Sequence, residues 1–103
     1  AFILGLRQDV QYRTNVGIVN LATVDRVFTI EPRVTFGANP AAFTVTVPAR
    51  AMQQVALPEG NFGGVAIRIT PSAAGAWSAY GASVDNQSGD GWVSKAEYSA
   101  RQP

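Results

Sequence analysis

The stretch Tyr12-Arg-Thr-Asn-Val-Gly-Ile-Val-Asn-Leu21 decides how the rest of the chain is interpreted, because it has the composition of a β-strand. Alternate residues of a strand point to the same side. One face is therefore expected to carry Tyr12, Thr14, Val16 and Ile18. Gly17 is unusual inside a strand, since glycine weakens a strand unless something packs close to its backbone. We expect an aromatic ring, Trp77 or Tyr80, to cover it.

Working outward, the remaining chain shows further short runs with the same alternation, separated by turn residues. Strands are expected over 1–6, 27–36, 43–47, 65–70, 76–85 and 92–98, and residues 52–57 form either a strand or a helical turn. Pro32 cannot donate to a sheet ladder, so the third strand should lie at a sheet edge or be broken by a bulge. No window has helical periodicity, and the pattern is typical of a sandwich or small barrel of about seven strands.

The alternation also predicts a core. Large apolar side chains recur at alternate positions of three of the expected strands. The expected core is Phe28, Ile30, Val34, Phe36, Phe43, Val45, Val47, Val65, Ile67 and Ile69. Their Thr, Arg and Glu neighbours should face solvent. A chain of 103 residues is long enough for one such core, so a single domain over 1–103 is expected.

Composition excludes several classes of function. The formal charge is +1 and the basic residues are scattered, which argues against binding to nucleic acid. No apolar run approaches the ~20 residues of a membrane span. Without His or Cys, the chain lacks the usual general base, thiolate nucleophile and zinc ligands, so we expect no enzyme activity and no cofactor. The chain opens at Ala1 without an initiator Met, as expected of a mature product or of a piece of a longer protein.

The loop Asp85-Asn-Gln-Ser-Gly-Asp90 is the strongest candidate for a bound metal. Asp85, Asn86 and Asp90 offer the oxygen atoms that a hard cation such as calcium takes. Their spacing does not fit the helix-loop-helix calcium pattern. The competing interpretation, which we favour, is that Asp and Asn side chains bond their own backbone and shape the turn.

Aromatic side chains concentrate near the end of the sequence. Trp77, Tyr80, Trp92 and Tyr98 fall on two strands expected to be neighbours, where exposed rings would form a platform for sugar rings. The alternative is that these rings cover the core or an edge. Arg13 and Asn15 point the same way in an extended strand and are further candidates for ligand binding. The alternative is that Arg13 clamps carbonyl groups or a carboxylate between strands.

Two of these motifs carry a resemblance. The segments Tyr12-Arg-Thr-Asn-Val-Gly-Ile-Val-Asn20 and Ala79-Tyr-Gly-Ala-Ser-Val-Asp-Asn-Gln-Ser-Gly-Asp90 resemble those of an immunoglobulin-like β-sandwich module of secreted bacterial multidomain proteins. Gly81 stands where that pattern tends to have Ala, and Gly91-Trp92 where Pro is frequent. The resemblance implies an antiparallel immunoglobulin-like sandwich located outside the cell or at its surface, with no established catalysis.

Two functions follow as hypotheses. The first is a structural or adhesive module that packs against itself or neighbouring domains of a parent chain. Its apolar tip, with Phe2, Ile3, Leu4 and Leu6, would add as a strand to another sheet edge, unless it simply completes its own sheet. The alternative is a module that binds polysaccharide through the late aromatic residues.

Overall fold

A computed structural model describes residues 1–96, which form eight β-strands and no helix. The strands are β1 (Phe2–Gln8), β2 (Tyr12–Asn20), β3 (Arg26–Val34), β4 (Phe43–Val47), β5 (Met52–Ala56), β6 (Gly63–Pro71), β7 (Trp77–Asp85) and β8 (Gly91–Lys95). Within these residues there is no helix with the length and apolar character needed to cross a membrane.

The strands form two four-stranded antiparallel sheets that pack face to face. Their orders are β1-β6-β3-β4 and β5-β2-β7-β8. The predicted antiparallel β-sandwich is therefore confirmed, and the segment that was ambiguous between strand and helical turn is strand β5. In the immunoglobulin arrangement, strands B and E pair in one sheet and strands C and F in the other. Here β2 with β5 and β3 with β6 have these adjacencies, whereas β1 adjoins β6, on the side where an immunoglobulin domain places its last strand.

The loops are divided between two ends of the sandwich. Because β1 and β2 are joined by a short turn and all neighbours are antiparallel, the β1–β2, β3–β4, β5–β6 and β7–β8 loops lie at one end, which we call the upper pole. Ala1 and Ala96 both lie at the opposite, lower pole, where Ala1 bonds Ile69 and Ala96 bonds Ala79.

The core lies between the sheets and is larger than predicted. Six of the expected core residues are buried: Phe28, Ile30, Val47, Val65, Ile67 and Ile69. Three others, Val34, Phe43 and Val45, are partly exposed and pack against the core. Phe36 was wrongly placed in the core, since it is 65% exposed. Strand β3 ends at Val34, and Phe36 belongs to the turn that follows it. Further buried side chains come from β1, β2 and β7, including Ile3, Leu6, Val16, Ile18 and Trp77.

Strand β1 completes its own sheet, so the apolar tip is not a free strand. A bulge shifts the register between Ile3 and Leu6, and Gly5 takes a positive φ of 76° there. The extra residue lets both Ile3 and Leu6 point inward, where they are 0% and 1% exposed. Leu4 and Phe2 remain 51% and 44% exposed. The prediction that all four tip residues are available to a partner is therefore wrong for Ile3 and Leu6.

Side chains of the opposite sheet cover part of the outer edge of β1. The Nε1 of Trp92 donates to the carbonyl oxygen of Gly5 at 2.7 Å. The backbone N–H of Arg7 donates to Oγ of Ser83, and the Thr14 hydroxyl donates to the Arg7 carbonyl. Thr14 and Ser83 are buried and bond each other at 2.8 Å. Because these backbone groups are satisfied, this part of β1 cannot pair with another strand.

Pro32 lies in a strand with neighbours on both sides, contrary to the expectation of an edge or a bulge. Val27 and Thr35 form backbone hydrogen bonds on the β6 side of the sheet. Successive residues of a strand direct their backbone N–H and C=O groups to opposite neighbours, so the backbone groups of the even-numbered residues between them point toward β4. The pairing of β3 with β4 ends at Ile30 opposite Phe43. The missing N–H of Pro32 therefore points to a position that β4 does not reach.

Candidate functional site

The late aromatic residues do not form an exposed row. Trp77 is 8% exposed and packs its ring against Phe28, with centroids 5.3 Å apart. Tyr80 lies on the opposite face of β7, because its separation of three residues from Trp77 reverses the side. Tyr98 lies outside the described residues. The predicted sugar platform therefore fails at Trp77, and the described rings of Trp77, Tyr80 and Trp92 do not share a surface.

Tyr80 instead covers Gly17, as expected for one of the two candidate rings. The two residues are directly paired between β2 and β7. A β-carbon added to Gly17 would lie 2.3 Å from Cε1 of Tyr80, so the ring occupies the space that a side chain would need. This contact accounts for a glycine in the middle of a strand.

Trp92 joins the edges of the two sheets. It lies opposite Ser83 and is 36% exposed. Its ring is 5.3 Å from that of Tyr12, and the guanidinium carbon of Arg7 lies 4.5 Å from the Tyr12 centroid. Together with the bond to Gly5, these contacts give Trp92 a structural role between β1 and β8.

The β7–β8 loop has the turn structure that was favoured over a metal site. Oδ1 of Asp85 accepts from the backbone N–H groups of Gln87 and Ser88, and Oδ2 accepts from the side-chain amide of Gln11. These hydrogen bonds lower the pKa of Asp85. Residues 1–96 contain no group of three or more carboxylates, His or Cys able to hold a metal ion, and Oδ1 of Asn86 accepts a hydrogen bond from Arg13.

Arg13 reaches this loop rather than an open ligand site. Its Nη1 donates to Oδ1 of Asn86 at 2.9 Å. Asn15 is half-buried on the same face of β2. Arg13 thus ties strand to loop, as the clamp interpretation expected, although its partner is an amide oxygen.

A cavity of about 350 Å³ opens at the upper pole, between loops that are distant in sequence. The β1–β2, β5–β6 and β7–β8 loops all contribute to it. It is lined by Gln8, Asp9, Val10, Tyr12, Glu59, Gly60, Asn61 and Asn86. Sequence reasoning missed this pole pocket, because only the order of the strands brings Glu59 and Asn61 beside Asp9. The signal available in the sequence was the polar character of the β1–β2 and β5–β6 loops.

Asp9 fixes the shape of the β1–β2 turn. Its Oδ1 accepts from the backbone N–H groups of Gln11 and Tyr12, each at 2.9 Å, and Oδ2 pairs with Arg7 at 2.7 Å. Desolvation alone would raise the pKa of Asp9, but the N–H groups of Tyr12 and Gln11 and the Arg7 guanidinium outweigh it and lower the pKa.

These lowered pKa values predict acid sensitivity. Since both Asp9 and Asp85 ionise more readily in the folded state, their stabilisation is complete above the unfolded pKa of about 3.9 and is lost as the pH falls through the folded pKa. Asp9→Asn should lower the free energy of unfolding at pH 7 by about 1–2 kcal/mol and flatten its decline below about pH 4. Urea denaturation between pH 2 and 7 measures both effects.

Asp90→Asn serves as the matched control, because Asp90 is exposed. It should change the free energy of unfolding at pH 7 by no more than about 0.5 kcal/mol. A steep acid decline that persists unchanged in Asp9→Asn would contradict the assigned role of Asp9.

The outer face of the β5-β2-β7-β8 sheet combines apolar and polar side chains. Its side chains alternate with the buried ones of β2 and β7 and are continued by β5 and β8. This β5–β8 face consists of Met52, Gln54, Ala56, Arg13, Asn15, Val19, Ser78, Tyr80, Ala82, Val84, Val93 and Lys95. Val93 and Met52 are 67% and 52% exposed. The outer face of the other sheet has more polar members, namely Thr29, Thr44, Thr46, Thr70, Glu31, Arg33 and Arg68. It also carries the exposed apolar side chains of Phe2 and Val27, which are 44% and 39% exposed.

Comparison with models of known protein families, with curated protein sequences and with solved structures gave no match to this chain.

Proposed function

We propose that this chain is a non-catalytic structural or adhesive module that acts outside the cell or at its surface and binds another protein through the β5–β8 face. The observation that carries the proposal is that seven of the twelve side chains of that face are apolar or aromatic, and that Val93 and Met52 among them are 67% and 52% exposed. Exposed apolar patches on small domains mark interaction surfaces more often than scattered single residues do. The absence of His and Cys from the sequence supports a role without catalysis.

Charge favours a partner of different chemistry over a second copy. The charged side chains of the β5–β8 face, within the described residues, are Arg13 and Lys95, and no carboxylate accompanies them. Two copies packed through this face would bring cations together without anions. The proposed partner is therefore a protein surface, in a neighbouring domain or a separate chain, with an apolar centre and carboxylates at its rim.

The two sequence motifs support the extracellular location. They resemble those of sandwich modules in secreted bacterial multidomain proteins, in which such modules neighbour other domains. Addition of β1 to another sheet does not form part of the proposal, since Ile3 and Leu6 are buried in this chain's own core.

Site-specific photo-crosslinking tests the proposal in the cells that produce the protein. A photoreactive residue at Val93 should crosslink to one defined segment rich in Asp and Glu. The same residue at Thr44, which is exposed on the other sheet, is the matched control and should not. Lys95→Glu should remove most of the Val93 product, because it places a carboxylate against the partner's carboxylates.

Three results would overturn this assignment. Equal crosslinking from Val93 and Thr44 would show that the face is not selective. A partner segment without acidic residues, or a product unaffected by Lys95→Glu, would contradict the charge argument. A dimer seen by light scattering that is abolished by Lys95→Glu would replace the proposed partner by a second copy.

A further inference from the structure

We propose that the pole pocket binds a neutral sugar. At about 350 Å³ it falls within the range of small-molecule sites. The site is separate from the β5–β8 face and from the late aromatic residues in which the sequence suggested sugar binding. It lies instead among loops of the upper pole.

The chemistry of the lining selects for hydroxyl groups. The carboxylate of Glu59 and the side-chain amide of Asn61 are exposed and make no hydrogen bond or ion pair among residues 1–96. A carboxylate accepts hydrogen bonds and an amide both donates and accepts, which matches the two roles of a sugar hydroxyl. No Lys or Arg lines the pocket itself, and the nearby guanidinium groups of Arg7 and Arg13 are already bonded to Asp9 and Asn86, so the pocket is poorly suited to a phosphate, sulfate or carboxylate ligand.

The same lining disfavours a metal ion. Both oxygens of Asp9 are already used by backbone N–H groups and by Arg7. Glu59 is then the one lining carboxylate with free oxygens, whereas calcium takes six to eight oxygen ligands. A hydroxylated ligand does not need such a set of oxygen ligands around it.

Apolar surface is present beside these polar groups. Val10 is 84% exposed at the rim, and Tyr12 is half-buried in the wall. Sugars present C–H groups as well as hydroxyls, and the side chain of Val10 can cover C–H groups while Glu59 and Asn61 bond the hydroxyls. The Tyr12 ring is already in contact with Trp92 and Arg7 and serves as part of the wall.

The loops that form the pocket are held in place before any ligand arrives. The backbone N–H of Phe62 donates to the carbonyl of Gln8 at 2.8 Å, and that of Asn86 donates to the carbonyl of Gln11 at 2.7 Å. These bonds join the β5–β6 and β7–β8 loops to the β1–β2 loop. A preorganised pocket loses less conformational entropy on binding.

The test is titration of the ¹⁵N-labelled chain with neutral sugars, followed by amide chemical shifts. The probes are glucose, galactose, mannose, xylose and the β-linked disaccharides of glucose and xylose, with glucuronate and calcium chloride as charged probes. At least one neutral sugar should shift Val10, Glu59, Gly60 and Asn61 while leaving Val93 unchanged. Glucuronate should bind more weakly than glucose.

Variants then assign the contacts. Glu59→Ala and Asn61→Ala should each weaken the binding of that sugar about tenfold, because each variant loses the hydrogen bonds between that side chain and the sugar hydroxyls. Both residues are exposed, so the free energy of unfolding should not change appreciably and loss of fold is excluded as the cause. Gln54→Ala on the β5–β8 face is the matched control and should bind as the wild type does.

The proposal is overturned if none of the neutral sugars shifts the pocket amides. It is also overturned if Glu59→Ala and Asn61→Ala bind as the wild type does, or if calcium alone shifts these amides. None of these outcomes bears on the Val93 crosslink, and failure of that crosslink leaves the titration unaffected. The two proposals can therefore fail independently.

Discussion

Replacing Trp77 by alanine is expected to lower the free energy of unfolding by about 3–5 kcal/mol, the range for removing a large aromatic side chain from a core. Trp77 is 8% exposed and packs on the fully buried Phe28, so the substitution loses both the burial of the indole and its contact with that ring. Urea denaturation, with the m-value checked for constancy, measures the loss.

Trp92→Ala is the natural comparison for Trp77→Ala, because the chain contains two tryptophans. Trp92 is 36% exposed and makes one hydrogen bond, to Gly5, so its loss should cost about 1–2 kcal/mol. The emission that remains in Trp92→Ala should be that of a buried indole. If Trp92→Ala were the more destabilising change, the placement of the two rings would be wrong.

Gly81→Val is expected to be the second most damaging change, at about 1–3 kcal/mol or somewhat more. A β-carbon at Gly81 would lie 2.5 Å from Cδ1 of Leu6 and 3.1 Å from Cγ2 of Ile3. Both neighbours are buried, so neither can move into solvent, and β1 would be pushed away from β7. Thermal or urea denaturation measures the loss.

Two substitutions in the same sheet separate this effect from strand propensity. Ala82→Val places the same side chain on the outer face and should change stability by no more than about 0.5 kcal/mol. Gly17→Ala meets the partly exposed ring of Tyr80, which can turn outward, and should cost less than Gly81→Ala. Equal losses for Gly81→Val and Ala82→Val would refute the close approach of β1.

Strand alternation was the most reliable guide to this fold. The run of β-branched, aromatic and polar residues that begins at Tyr12 predicts β2, and the strand spans Tyr12–Asn20. The same alternation places Trp77 and Tyr80 on opposite faces, since they differ by three positions, but grouping by composition treated them as one platform. Phe36 was misplaced because the alternation continues in the sequence beyond Val34, where the strand ends.

Long-range placement was beyond the reach of sequence patterns. The order of strands puts β1 beside β6, and local periodicity says nothing about which strands become neighbours. The bulge at Gly5 changes which tip residues face inward, so Leu6 and Ile3 share a side despite their odd separation. The pole pocket depends on the strand order, since its loops meet only after the sheets are assembled.

The positions of Ala1 and Ala96 determine how the molecule can be presented. Both lie at the lower pole, and the pocket with Glu59 and Asn61 lies at the upper one, at the opposite ends of the strands. Anything that precedes Ala1 therefore approaches from the side remote from the pocket. If the molecule were attached to a chip, a bead or a neighbouring domain through a segment that precedes Ala1, its pocket would face away from the attachment point.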